Sequence, residues 1–169
     1  MLFSNNIPTF NRFMKLSNKI YYHGSFDFLE EGTILTPEKS ASKNSDFGYS
    51  IMESHNKAEL FKPKEFLSRE NAVFMCDDLD DLDLSGASLE HIYIVNPLGK
   101  IEKHDINWLS EIDLIMSEAK ENGLAEDVNT VEKVKEAALN YWHGVAHYNE
   151  SVWEYLTPKA EIITEIEED

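Results

Sequence analysis

The sequence predicts an α+β domain of split, mostly antiparallel β-sheets with flanking helices. Two observations carry this. Strand-like segments gather at residues 20–22, 33–35, 72–76, 91–96 and 159–166, whereas the two strongest helical patterns follow each other directly at 107–122 and 130–148. Strands that do not alternate regularly with helices argue against a parallel βαβ arrangement. The 169 residues are 42% hydrophobic and 11% aromatic, enough for one packed core.

Taken in order, residues 1–18 read as an N-terminal extension ahead of a single domain over 19–169. Asn5, Asn6, Pro8, Asn11 and Arg12 break its apolar residues, so it lacks a continuous signal-peptide core. Residues 20–22 and 33–35 are strands around a polar turn. The stretch 38–49, rich in Ser, Lys and Asn, reads as a loop and a candidate lid. Residues 51–61 suit a helix that Pro63 ends. A strand over 72–76 precedes the acidic stretch 77–84, which suits a short helix or turn. Ile92, Tyr93, Ile94 and Val95 make 91–96 a clear strand. Trp108, Leu109, Ile112, Ile115, Met116 and Ala119 fall at helical spacing before Gly123, a C-terminal cap. Val131, Val134, Ala138, Tyr141, Trp142 and Val145 define a second helix with Thr130 as its N-cap. Apolar residues at 160, 162 and 166 suit a half-buried closing strand.

The formal net charge of −17 argues against binding duplex nucleic acid, which needs a basic face. It permits a basic protein partner, a small-molecule substrate, or an acidic decoy that mimics nucleic acid and blocks a basic partner. Five aspartates between Asp77 and Asp83 and the tail from Glu165 to Asp169 serve the last reading. A single cysteine, Cys76, excludes a disulfide framework, and its apolar flank makes it structural. No apolar run is long enough to span a bilayer, and a cytoplasmic location is the default expectation. Phosphate-binding Gly-rich fingerprints and the Gly-x-Ser-x-Gly elbow are lacking. His143 and His147, four apart, would share a helix face. With no third ligand evident they are read as packing or substrate contacts rather than a metal site.

The segment most able to carry chemistry is Tyr21-Tyr-His-Gly-Ser25 with Gly32-Thr-Ile-Leu-Thr-Pro37. It sets an imidazole at a strand end beside a glycine that lets a ligand approach the backbone. Together with Glu70-Asn-Ala-Val-Phe-Met-Cys-Asp-Asp78 and the run from His91 to Asp105, it resembles the ADP-ribosyltransferase superfamily, especially the small bacterial rifampin-modifying type. Trp153-Glu-Tyr-Leu156 resembles the point where many members hold a catalytic glutamate. These segments span most of residues 19–166.

The resemblance implies NAD⁺ as a substrate, bent across a cleft between two sheets, with nicotinamide released and ADP-ribose moved to a protein, nucleic-acid or small-molecule acceptor. It implies that His23 binds a ribose, that the backbone at Gly24 clamps the carboxamide, and that Phe74 stacks on nicotinamide where the family usually has tyrosine. Tyr22 and Ser25 are secondary contacts, and Arg69 is a candidate for the pyrophosphate. A carboxylate facing His23 must stabilise the ribosyl cation. Asp105 and Glu154 both qualify; the rings of Trp153 and Tyr155 favour Glu154, and Trp142-His-Gly144 would wall the same cleft. Each residue has a plainer reading. His23 can be a structural strand-end histidine, Phe74 a core residue, Asp105 a helix cap, Glu154 a surface acid and Arg69 a solvated cation.

Overall fold

The computed structural model describes residues 19–40 and 49–166; the extension over 1–18 and most of the loop expected over 38–49 lie outside the described residues. The strands are β1 (Tyr21–Ser25), β2 (Ile34–Leu35), β3 (Val73–Met75), β4 (His91–Leu98), β5 (Glu102–Asp105), β6 (Trp153–Thr157) and β7 (Lys159–Glu165). The helices are α1 (Pro37–Ser40), α2 (Tyr49–Leu60), α3 (Leu79–Leu84), α4 (Asn107–Glu121) and α5 (Val128–Trp142), with a 3₁₀ turn at Arg69–Asn71.

Two antiparallel sheets form, ordered β1-β4-β7-β2 and β3-β6-β5. The fold is α+β, as the sequence predicts. The sheets meet at one antiparallel rung between Tyr22 and Cys76, with N–H···O bonds of 2.7 and 3.0 Å.

Alternation along the strands divides the interior. Val73, Met75 and Tyr155 of the small sheet pack with Tyr21, Tyr93, Val95, Ala160 and Ile162 of the large one. Leu156 turns the other way, into a core with Ile112, Val134, Ala138, Tyr141 and Trp142 from α4 and α5. Burying each of these large apolar side chains stabilises the fold by about 1.5–3 kcal/mol. No described helix is long and apolar enough to cross a membrane.

Some expectations change. β1 continues through His23 to Ser25, paired with β4, so His23 is interior to its strand rather than at its end. β4 runs through Pro97 to Leu98, two residues beyond the predicted stop. Strand β5 comes from Glu102-Lys-His-Asp105, a run too polar to read as buried. Yet Glu102, His104 and Asp105 are each at most 5% exposed, because each has polar partners inside. Asp127, not Thr130, caps α5, accepting from the Asn129 N–H at 2.9 Å. That helix stops at Trp142, well before residue 148. Gly144 lies at φ +65°, and a Cβ there would come within 2.6 Å of the Lys103 carbonyl.

Candidate functional site

Glu154 lies on β6, opposite His104 of β5, on the face turned toward the helices. It is 3% exposed. Burying a carboxylate needs compensation, and two groups converge on its Oε1. The Arg69 guanidinium forms an ion pair with it, and the Tyr141 hydroxyl donates a 2.7 Å hydrogen bond. Arg69 also donates to the Tyr141 oxygen, closing a triangle. Oε2 takes no hydrogen bond from the described residues and keeps its lone pairs for another donor.

The triangle is held from several elements. Arg69 opens the 3₁₀ turn, and its backbone N–H donates to Glu59 Oε1 on α2 at 2.8 Å. Just upstream, the Leu67 N–H donates to both oxygens of buried Glu102, at 2.9 and 3.1 Å. Tyr141 comes from the last turn of α5, where the His104 ring stacks on it at 4.7 Å. His104 Nδ1 donates to the Tyr141 carbonyl at 2.9 Å. Burial tends to lower the Arg69 pKa, but the Glu154 charge and the Tyr141 oxygen outweigh it and raise the pKa above its ordinary value. Burial drives the Tyr141 phenol well up, so it stays protonated and donates.

Phe74 completes the group. Its ring packs against the helical core, with Arg69 Cζ 4.7 Å from its centroid. Its position next to a planar cation matches stacking chemistry. His23 reaches the same residue from the other side. It is 4% exposed, and Nδ1 donates to the Phe74 carbonyl at 2.9 Å, leaving Nε2 as an acceptor. Burial lowers its pKa and keeps the ring neutral.

The expectation that His23 faces the carboxylate across one hollow is corrected by strand alternation. His23 pairs with Tyr93 and lies with it on the side between the sheets. Glu154 lies on the helix side. The β1 residue that shares its face is Tyr22: it pairs with Cys76, and the β3–β6 ladder extended by one rung sets Cys76 beside Glu154. Two strand spacings separate the Tyr22 and Glu154 backbones, about 10 Å.

Other candidates are occupied by the fold. A Cβ on Gly24 would meet the Ser88 carbonyl oxygen at 2.1 Å, so the chain itself makes the close approach that the glycine allows. Ser25 Oγ donates to the Asp27 carbonyl at 2.9 Å and accepts from the Asp27 N–H at 3.1 Å, a local turn. Asp105 is fully buried and accepts three backbone N–H groups: from Asn107 at 3.1 Å, Val152 at 3.2 Å and His147 at 2.7 Å. It ties the start of α4 to the segment leading into β6. Burial pushes the Cys76 thiol up to about 12, which fits a structural thiol. His143 follows the end of α5, and His147 lies in the next loop, so the two do not share a helix face. Among the described residues no group of three or more His, Cys, Asp or Glu side chains is arranged to hold a metal ion.

The acidic stretch is also partly internal. Asp77 binds Lys19 at 2.6 Å and the Tyr155 hydroxyl at 3.0 Å. Asp78 caps α3, and Asp81 accepts from the Trp153 N–H at 3.0 Å.

Sequence reasoning missed Tyr141 and His55 as members of the site. His55, on α2, is held neutral, with its pKa lowered to about 3 by burial and by the nearby Arg69 charge. Tyr141 reads in sequence as one apolar position of α5, and only its neighbour in space, Glu154, reveals the use of its hydroxyl. No known family model, curated protein or solved structure matches this chain.

Proposed function

We propose that the chain is an NAD⁺-dependent mono-ADP-ribosyltransferase whose working carboxylate is Glu154. The observation that carries this is the buried Glu154 carboxylate, held on one oxygen by Arg69 and Tyr141, with Arg69 in turn resting over the Phe74 ring. Buried, oriented charge next to an aromatic face is what leaving-group departure from a glycosyl-pyridinium requires. The pair of antiparallel sheets with helices fits the fold expected of such enzymes.

In the proposed reaction the bond between the ribose anomeric carbon and the nicotinamide nitrogen breaks. Its electron pair stays on nicotinamide, which leaves neutral. Positive charge develops on the anomeric carbon and ring oxygen, where the Glu154 carboxylate stabilises it. The acceptor nucleophile bonds to that carbon and releases its proton to solvent. Phe74 stacks on the nicotinamide, and Tyr22 lines the same face from β1. His23 acts as a positioning residue, fixing the Phe74 backbone through its carbonyl. The acidic surface favours a basic protein or a neutral small molecule as acceptor.

Asp105, the rival acid, is less suited because three backbone donors already occupy its oxygens. The acidic-decoy reading loses support because Asp77, Asp78 and Asp81 serve internal contacts.

The test is nicotinamide release from NAD⁺, followed by chromatography. Glu154→Gln, assayed at a temperature where circular dichroism shows it folded, loses about 10²–10³ in rate, the range for removing one electrostatic stabiliser. Wild-type protein that releases no nicotinamide with any acceptor class offered, or a Glu154→Gln variant with undiminished release, overturns the proposal.

A further inference from the structure

The Arg69 guanidinium rests in a cradle suited to any flat, delocalised cation. Its Cζ is 4.7 Å from the Phe74 ring centroid and 5.6 Å from that of Tyr141. Its Nη1 meets the Glu154 carboxylate and the Tyr141 oxygen. Aromatic faces, a phenol oxygen and a carboxylate are the elements that recognise planar cations. A pyridinium ring is flat, singly positive and delocalised, as a guanidinium is.

The surroundings let the side chain leave without its backbone. The Arg69 N–H is tied to Glu59 and the Leu67 N–H to Glu102, so the bonds that hold the turn do not involve the guanidinium. The Arg69 side chain is 14% exposed, against 5% for the Glu154 side chain, so it is the more outward member of the pair. His55 beside it is neutral and adds no competing charge.

We propose that the cradle of Phe74, Tyr141 and Glu154 is a planar-cation site that the chain's own Arg69 fills in the empty protein, and that a ligand pyridinium enters by displacing this guanidinium. The identification of that pyridinium as the nicotinamide of NAD⁺ rests on the transferase reading; the cradle and its internal occupant do not. Arg69 thereby competes with substrate and lowers its apparent affinity by the fraction of time the cradle is full.

The chain contains two arginines, Arg12 and Arg69, so side-chain Nε–H resonances from ¹⁵N-labelled wild-type protein report the occupant directly. The probe is 1-methylnicotinamide, a pyridinium without ribose or phosphate, with uncharged nicotinamide as control. The expected result is movement of the Arg69 resonance with 1-methylnicotinamide, little with nicotinamide, and an unchanged Arg12. Arg69→Ala binds the probe about tenfold or more tightly than wild type, as removal of an internal competitor requires. An Arg69 signal unmoved at the highest probe concentration, or a folded Arg69→Ala that binds no better, overturns the inference. If Arg69→Ala does not fold, the wild-type spectrum alone decides. Displacement of Arg69 without nicotinamide release from NAD⁺ upholds the cradle and sinks the transferase. Release without displacement does the reverse.

Discussion

Removing either partner of the Arg69–Glu154 pair should destabilise the protein far more than removing both. Glu154 is 3% exposed and the Arg69 side chain 14%, so both charges are largely desolvated where they pair. Leaving one charge of a buried pair uncompensated costs about 3–5 kcal/mol. For a chain of this size each kcal/mol lowers the melting temperature by about 2–4 °C, so Glu154→Gln and Arg69→Gln should each melt about 6–20 °C below wild type. Tyr141→Phe removes a group that donates to one charge and accepts from the other, and should lose about 1.5–3 kcal/mol. The double variant Arg69→Met/Glu154→Leu replaces the pair with apolar groups of similar volume and should recover most of the loss. Urea unfolding at pH 7 on the four variants measures these losses. A Glu154→Gln loss under about 1 kcal/mol, or a double variant that loses the sum of the singles, would refute the view that the pair is desolvated and mutually dependent.

Two further outcomes follow from the geometry. Gly24→Ala forces a Cβ to within 2.1 Å of the Ser88 carbonyl oxygen, and overpacking against backbone should cost about 3 kcal/mol; a melting temperature equal to wild type would show that the 87–88 backbone yields freely. Stability should also fall as pH drops below about 6.5, because His23 and His55 have depressed pKa values in the fold, His55 at about 3, while the unfolded chain takes up those protons near 6.5. The stabilisation is fully present above the unfolded value and is lost toward the folded one. The slope is at most about 1.4 kcal/mol per pH unit for each ring. Urea midpoints at pH 7 and pH 5 check this, and His55→Gln should flatten the difference; an unchanged midpoint between the two pH values contradicts it.

The fold class was legible because β-branched and aromatic residues mark β4 and because α4 and α5 repeat apolar residues at helical spacing. Strands β5 and β6 were harder to read. Glu102-Lys-His-Asp105 presents alternating polar groups that become internal only after Leu67, Tyr141 and His147 supply partners, and those partners are distant in sequence. Periodicity records side-chain polarity, not the hydrogen bonds that make polarity tolerable inside. At the site, Glu154, Phe74 and Arg69 were named from sequence and come together in space, although Arg69 meets a carboxylate where a phosphate partner was expected. The face on which His23 lies was beyond reach, because it is set by the pairing of His23 with Tyr93 and of Tyr22 with Cys76, partners distant in sequence.

Three of the carboxylates, Glu102, Asp105 and Glu154, are interior fastenings rather than solvent-facing charge. Asp105 alone joins three separate stretches of backbone, which makes the irregular segment between α5 and β6 as firmly anchored as a regular element. An engineer wishing to reduce the acidity of this chain, for crystallisation or to curb repulsion between molecules, therefore has unequal choices. Exposed glutamates such as Glu118, Glu121 and Glu136 on α4 and α5 can be exchanged at little cost, but an amide in place of any of these three would loosen the joinery of the molecule.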